Sequence, residues 1–208
     1  PRKIKNNPYQ AVLWDLGGVL VRTFDRSGRA RWEEHLGLEP NELSKLVFEG
    51  EMSRKASIGK ATTEDIWHSV SEQFDLSPKE LEDLERDYWA GDRVDQELIA
   101  FIRSLRPEFK TGLISNAWPD LRPAMEGLWH IADAFDEIVI SAEVGMVKPD
   151  ARIYHMALDR LEVKPEQAIF VDDFPENVAG AKNVGIHAIL FLSTDQVLSE
   201  IRSLLDLA

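Results

Sequence analysis

An apolar run that meets a lone carboxylate and then two glycines constrains this chain most. Residues 11–20 read AVLWDLGGVL. Successive apolar residues closed by glycine read as a strand buried on both faces, as in the interior of a parallel sheet. Asp15 then stands at the strand's carboxyl end, where open parallel sheets place their ligands. A carboxylate held there can act as a nucleophile or a metal ligand. The plainer alternative is a strand, a turn, and Asp15 as its cap.

The rest of the chain supplies the context for that strand, which spans about residues 9–15. Residues 1–8 are basic, polar and proline-bearing, and read as a loose lead-in. From about 21 to 93 the periodicity is helical and no strand stands out. Trp32 and Leu36 share a face, as do Leu43, Leu46 and Val47. Thr62 and Asp65 have capping-box spacing before Ile66, Val70 and Phe74, and Ser77-Pro78-Lys79-Glu80 starts a further helix. Four or five helices are expected there. Beyond Gly91 the pattern alternates: helix at 95–105, strand at 111–115, weaker helix at 119–129 and strand at 137–141. A helix opened by Pro149, a strand at 168–171, a helix at 176–184, a strand at 187–192 and a short final helix follow. Strands alternating with helices through short connections predict an α/β fold with a doubly wound parallel sheet. The six tryptophans read as packing residues, and His35 and His68 have no site-like spacing.

Charge narrows the function. A formal net charge of −13 disfavours nucleic acid and anionic membranes as partners, both of which need a basic footprint. It also means that an anionic substrate would need local positive charge from a lysine or a metal. With no cysteine, the chain has no disulfide, thiol nucleophile or thiolate metal site. No apolar run approaches a membrane span and no signal-peptide pattern opens the chain, so a cytoplasmic protein, monomer or homodimer, is expected. The chain starts at Pro1, implying that an initiator Met was removed or omitted.

Four short stretches stand at or just past strand ends: Asp15-Leu16-Gly17-Gly18, Ser115-Asn116, Lys148-Pro149-Asp150, and Asp172-Asp173 with Asn177 beyond. In a parallel sheet these ends face one way, so the four converge on one cleft. Each has a plain reading too: Ser-Asn as turn chemistry, Lys before Pro as a solvated flank, Asp-Asp as a helix cap.

In order, the stretches LWDLGGVL, LISN, VKPD and FVDDFPEN resemble the motifs of the haloacid dehalogenase-like (HAD) hydrolase superfamily, specifically its phosphatases with a helical cap inserted after the first strand. The resemblance runs from about Tyr9 to Leu192. It implies a five-stranded sheet of order 5-4-1-2-3, counting core strands in chain order. It divides the chain into a Rossmann-like core at 1–20 and 94–208 and a cap at 21–93. It implies that Asp15 attacks phosphorus, with Mg²⁺ held by Asp15, Asp173 and the Gly17 carbonyl, and Asp172 and Asn177 supporting that shell. Lys148, Ser115, Asn116 and the Gly18 N–H would meet the phosphoryl oxygens. The chemistry is consistent: a carboxylate approaches a phosphate only once charge is neutralised, and Mg²⁺ with oxygen ligands does that.

One position departs from the pattern. The family's phosphatases usually carry a second Asp two residues after the nucleophile, as acid and then base; here Gly17 stands there. General acid–base help is worth about 10²–10⁴-fold, so slow turnover or dependence on good leaving groups is expected. The cap would close as a lid over a small phosphorylated substrate, hinged near residues 20–22 and 91–92. Arg22, Arg29, Arg54 and Lys60 are candidates to read the substrate, against the commoner reading of each as plain surface charge. A 2-haloacid dehalogenase using Asp15 fits Gly17, but the superfamily's metal-free dehalogenases lack the Asp172-Asp173 pair. A non-catalytic phosphate binder and a phosphotransfer isomerase remain alternatives.

Overall fold

The computed structural model describes residues 7–207, so the expected lead-in lies, but for its last two residues, outside the described residues. Among the described residues there are seven strands. β1 (Ala11–Trp14), β4 (Lys110–Ser115), β5 (Glu137–Ile140), β6 (Ala168–Asp172) and β7 (His187–Leu190) form one parallel sheet, ordered β5-β4-β1-β6-β7. Counting only these five, the order is the expected 5-4-1-2-3. β1 is central because all four of its residues are apolar and fully buried. Its side chains alternate: Val12 and Trp14 join one apolar cluster, Ala11 and Leu13 the other. Helices α6 (Gln96–Leu105) and α11 (Thr194–Leu204) cover the first face, and α9 (Ala151–Leu161) and α10 (Pro175–Asn183) the second. Truncating Leu13, buried on the second face, would cost about 2–5 kcal/mol by the usual cavity scale.

The insertion holds helices α1 (Ser27–His35), α2 (Glu42–Glu49), α3 (Glu51–Ala56), α4 (Thr63–Phe74) and α5 (Pro78–Trp89). Both expected capping boxes form, Thr62 with Asp65 and Ser77 with Glu80. The expectation of no strand between 21 and 93 is corrected: β2 (Val21–Thr23) pairs antiparallel with β3 (Asp92–Val94) at the base of the insertion. Three-residue strands are too short to leave a periodic signal. The helices gather on Leu43, Val47, Ile66, Trp67, Val70, Leu84 and Tyr88, joined by Trp118 from the segment after β4.

Two further boundaries shift. The expected helix at 119–129 is one short turn, α7 (Leu121–Pro123), continued by a π-helical segment Ala124–Leu128, in a stretch where Pro123 has no N–H to donate. A one-turn helix, α8 (Ser141–Val144), follows β5. α9 begins after Asp150, which caps Arg152 N–H, rather than at Pro149. Among the described residues, no helix is long and apolar enough to cross a membrane.

Candidate active site

Register explains the convergence. Trp14 lies opposite Leu113 on β4 and Val171 on β6, so the next residue on each strand brings Asp15, Ile114 and Asp172 abreast. From the connection after α8, Lys148 enters the same space. Its Nζ lies 2.8 Å from Asp15 Oδ1 and 2.6 Å from Asp172 Oδ2, and its side chain is fully buried. A buried lysine is tolerated only with such partners.

The two adjacent acidic residues differ in what they touch. Asp172, wholly buried, accepts from Lys148, from the Phe174 N–H at 2.8 Å, and from Asn177 Nδ2 at 3.1 Å on both oxygens. Its acceptor capacity is taken up. Asp173 Oδ1 is buried with no hydrogen-bond partner among the described residues. A buried carboxylate oxygen left bare costs free energy unless a cation or proton meets it. Carboxylate oxygens of Asp15, Asp172 and Asp173 all lie within 4.8 Å of one another, a cluster able to hold a divalent metal. The residues therefore fit a hard cation, with Asp15 and Asp173 as the carboxylates that have capacity left.

Three carboxylates around one ammonium leave uncompensated negative charge. Burial pushes the Asp15 carboxyl up to about 7, with Lys148 opposing and the Asp172 charge adding to the rise. Burial, and then the charge of Asp172, raise Asp173 to about 6. Both directions follow from crowding anions away from water.

Other expected site residues take other partners. Asn116 is close, yet its amide bridges the main chain of Lys148: Nδ2 donates to the Lys148 carbonyl at 2.9 Å, and Oδ1 accepts the Lys148 N–H at 2.7 Å. The Asn116 side chain, though the residue is exposed, thus holds the main chain of the lysine in place. Ser115 is buried at the end of β4, its hydroxyl bonded to no other described residue. The Gly18 N–H donates to the Val21 carbonyl at 3.0 Å, so it is engaged within its own turn. Gly18 matters for a different reason. Its φ is +76°, and a Cβ there would sit 2.1 Å from Asp173 Oδ2. Gly17 is exposed, and a Cβ on it would meet nothing within 4 Å.

Of the cap cations, Arg29 is buried, pairs with Asp92 at 2.8 Å and lies 4.1 Å over the Tyr88 ring; Arg22 pairs with Asp95. Arg54 donates to the Glu49 carbonyl, while Lys60 is exposed without a bonded partner among the described residues. Arg22 and Arg29 thus brace the base of the insertion. Sequence reasoning missed Ser141, wholly buried, whose hydroxyl accepts from the Ala117 N–H at 3.0 Å and donates to its carbonyl at 3.1 Å. It read Trp118 as a packing residue but missed its bond to the insertion, where Nε1 donates to Ser53 Oγ of α3 at 3.1 Å. Neither leaves a local pattern, because each partner is remote in sequence.

A family model described as haloacid dehalogenase-like hydrolase matches residues 9–185. Mouse bifunctional epoxide hydrolase 2 is 33% identical over 108 residues, half of this chain. The chain spans between 20% and 38% of the length of the mouse, rat and pig epoxide hydrolases it matches. A sesquiterpene phosphatase of Aspergillus oryzae is 26% identical over 200 residues, covering 94% of this chain and 96% of that protein. The fold is similar to that of a HAD family enzyme of Bacteroides thetaiotaomicron in complex with magnesium and inorganic phosphate. Its TM-score is 0.73 at 19% identity, over 89% of this chain and 96% of that one.

Proposed function

The chain belongs to the haloacid dehalogenase-like hydrolases, and from that premise we propose that it is a Mg²⁺-dependent phosphatase that hydrolyses a small organic phosphate monoester through an aspartyl phosphate on Asp15. The observation that carries this reading is the charge imbalance: Asp15, Asp172 and Asp173 crowd one buried ammonium, and Asp173 Oδ1 has no partner. A divalent cation and a phosphoryl group together complete such a site.

Asp15, Asp173 and the Gly17 carbonyl would hold Mg²⁺, which when bound screens the carboxylate from the incoming phosphate and draws charge from its oxygens. The other steps belong to the chain's own residues. Lys148 orients Asp15 through Oδ1, which leaves Oδ2 as the attacking atom, and sets a fixed positive charge beside the transferring group. Asp172, held by Asn177 and the Phe174 N–H, anchors Lys148 from behind. Asn116 fixes the lysine's main chain, and the Ser115 hydroxyl is the group at the end of β4 able to donate to a phosphoryl oxygen. Residues 1–20 and 94–208 form the catalytic core in this reading, and residues 21–93 the lid that excludes water.

The test is hydrolysis of phenyl phosphate with and without Mg²⁺, by the wild-type chain and by Asp15→Asn. Activity that needs both Mg²⁺ and Asp15 supports the reading; equal activity in Asp15→Asn refutes it. Halide release from chloroacetate without metal, and no phosphate release, would put a carbon–halogen hydrolase in its place.

A further inference from the structure

Resting on the phosphatase reading and narrowing its substrate, we propose that the site takes the phosphate of an apolar phenol, seating the ring on an aromatic ledge of Phe48 and Trp89 and releasing it as phenolate. Phe48 is 49% exposed and Trp89 38%. Phe48 stacks on Trp118 with centroids 5.4 Å apart and planes at 26°, and Trp89 meets Trp118 edge-on at 6.2 Å. Trp118 lies two residues beyond Asn116, whose amide grips the Lys148 main chain. The ledge is therefore continuous with the element that holds the site's ammonium. On the core side, Phe174 follows Asp173 directly and is 57% exposed. Phe48 and Trp89, left partly in water where they pack on Trp118, form an apolar surface of the kind that takes a ligand.

Charge on the insertion points the same way. Arg22 pairs with Asp95, Arg26 with Glu33, Arg29 with Asp92 and Lys55 with Glu51. These four cations are already neutralised; Arg54 and Lys60 have no carboxylate partner among the described residues, and at the ledge itself Phe48, Trp89 and Trp118 present ring surface. A singly phosphorylated apolar ester suits that surface better than a phosphorylated sugar or acid.

Position 17 supplies the chemical half of the argument. No side chain there can protonate a departing oxygen, and space around Gly17 is empty. When Asp15 Oδ2 attacks, a P–O bond to Asp15 forms, the P–O bond to the leaving group breaks, and its electron pair stays on that oxygen. A phenolate, whose acid has a pKa of about 10, carries the pair without a proton. An alkoxide, like hydroxide, is the anion of a far weaker acid and does not. Water then attacks phosphorus, the P–O bond to Asp15 breaks, and phosphate leaves with the water's second proton passing to solvent.

The test has two arms on the whole chain with Mg²⁺. The first compares kcat/KM for phenyl and 2-naphthyl phosphate with propyl phosphate and glycerol 3-phosphate; aryl esters should be favoured by about 10²-fold or more, the size of the missing acid–base help. The second measures, by calorimetry, binding of benzylphosphonate and methylphosphonate to the wild type, Phe48→Ala and Trp89→Leu. The wild type should prefer the benzyl compound by about 10-fold, the value of burying part of a ring, and each variant should lose most of that preference. Alkyl esters cleaved as fast as aryl ones, or equal affinity for the two phosphonates, overturns the proposal while leaving the phosphatase reading intact. Failure of every ester overturns the phosphatase reading itself.

Discussion

Raising the pH on metal-free protein should destabilise it through Asp15, and the size follows from the site. The unfolded carboxyl ionises at its ordinary 3.8, whereas burial among Asp172 and Asp173 holds the folded one up to about 7. Between those values the folded state keeps a proton that the unfolded state has lost. The stability from that proton is complete below about pH 4 and is lost as pH rises through about 7. That difference corresponds to at most about 4 kcal/mol, a large share of a typical domain's stability of about 5–15 kcal/mol. Carboxylates held low, such as Asp150 at about 2 beside Arg152, titrate below this window. Urea unfolding at pH 5, 6, 7 and 8 in EDTA reads the effect directly. Asp15→Asn should flatten the slope and be more stable than the wild type at pH 8. Mg²⁺ at about a hundred times its Kd should restore about 2.7 kcal/mol. Stability that is flat or rises across this window in EDTA would refute the argument that three carboxylates share too little positive charge.

Further outcomes follow from single contacts. Gly18→Ala puts a Cβ against Asp173 at a left-handed φ, about 1–2 kcal/mol for the backbone alone; calorimetry should show weakened Mg²⁺ binding, and unchanged binding would mean Asp173 is not a ligand. Asn116→Ala removes both bonds that hold the Lys148 main chain; kcat should fall about tenfold, matching about 1.4 kcal/mol, and an unchanged kcat would deny Asn116 that role. Gly17→Asp adds an acid where a side chain meets no neighbour; turnover of propyl phosphate should rise by about 10²-fold, and no rise would mean the vacancy at 17 does not limit alkyl esters.

The sheet was legible because its strands are short apolar runs punctuated by glycine, proline and acidic residues. In a parallel sheet, ends that lie apart in sequence must meet, which is why the pattern of strands alone draws Asp15, Lys148 and Asp172-Asp173 to one place. Finer assignments depend on which atoms pair across the chain, and sequence does not carry that. Asn116 was expected to face a phosphate, yet its amide matches the N–H and C=O of Lys148 and takes both. Gly18 was expected to offer its N–H, yet the turn uses that group and the absence of a Cβ is what admits Asp173. Trp118 sits in the sequence of the core and in the packing of the insertion. The ribbon of β2 and β3 was invisible because three residues hold no period.

Everything proposed for this site turns on phosphorylation of Asp15. Mixing the protein and Mg²⁺ with an aryl phosphate labelled in its phosphoryl group, quenching in acid within the first turnover and mapping the label by peptide would test it most directly. Phosphorylation of Asp15 would leave hydroxylamine-labile label on the peptide containing Asp15 and none in Asp15→Asn. Full turnover with no labelled peptide, or label on another residue, would contradict it.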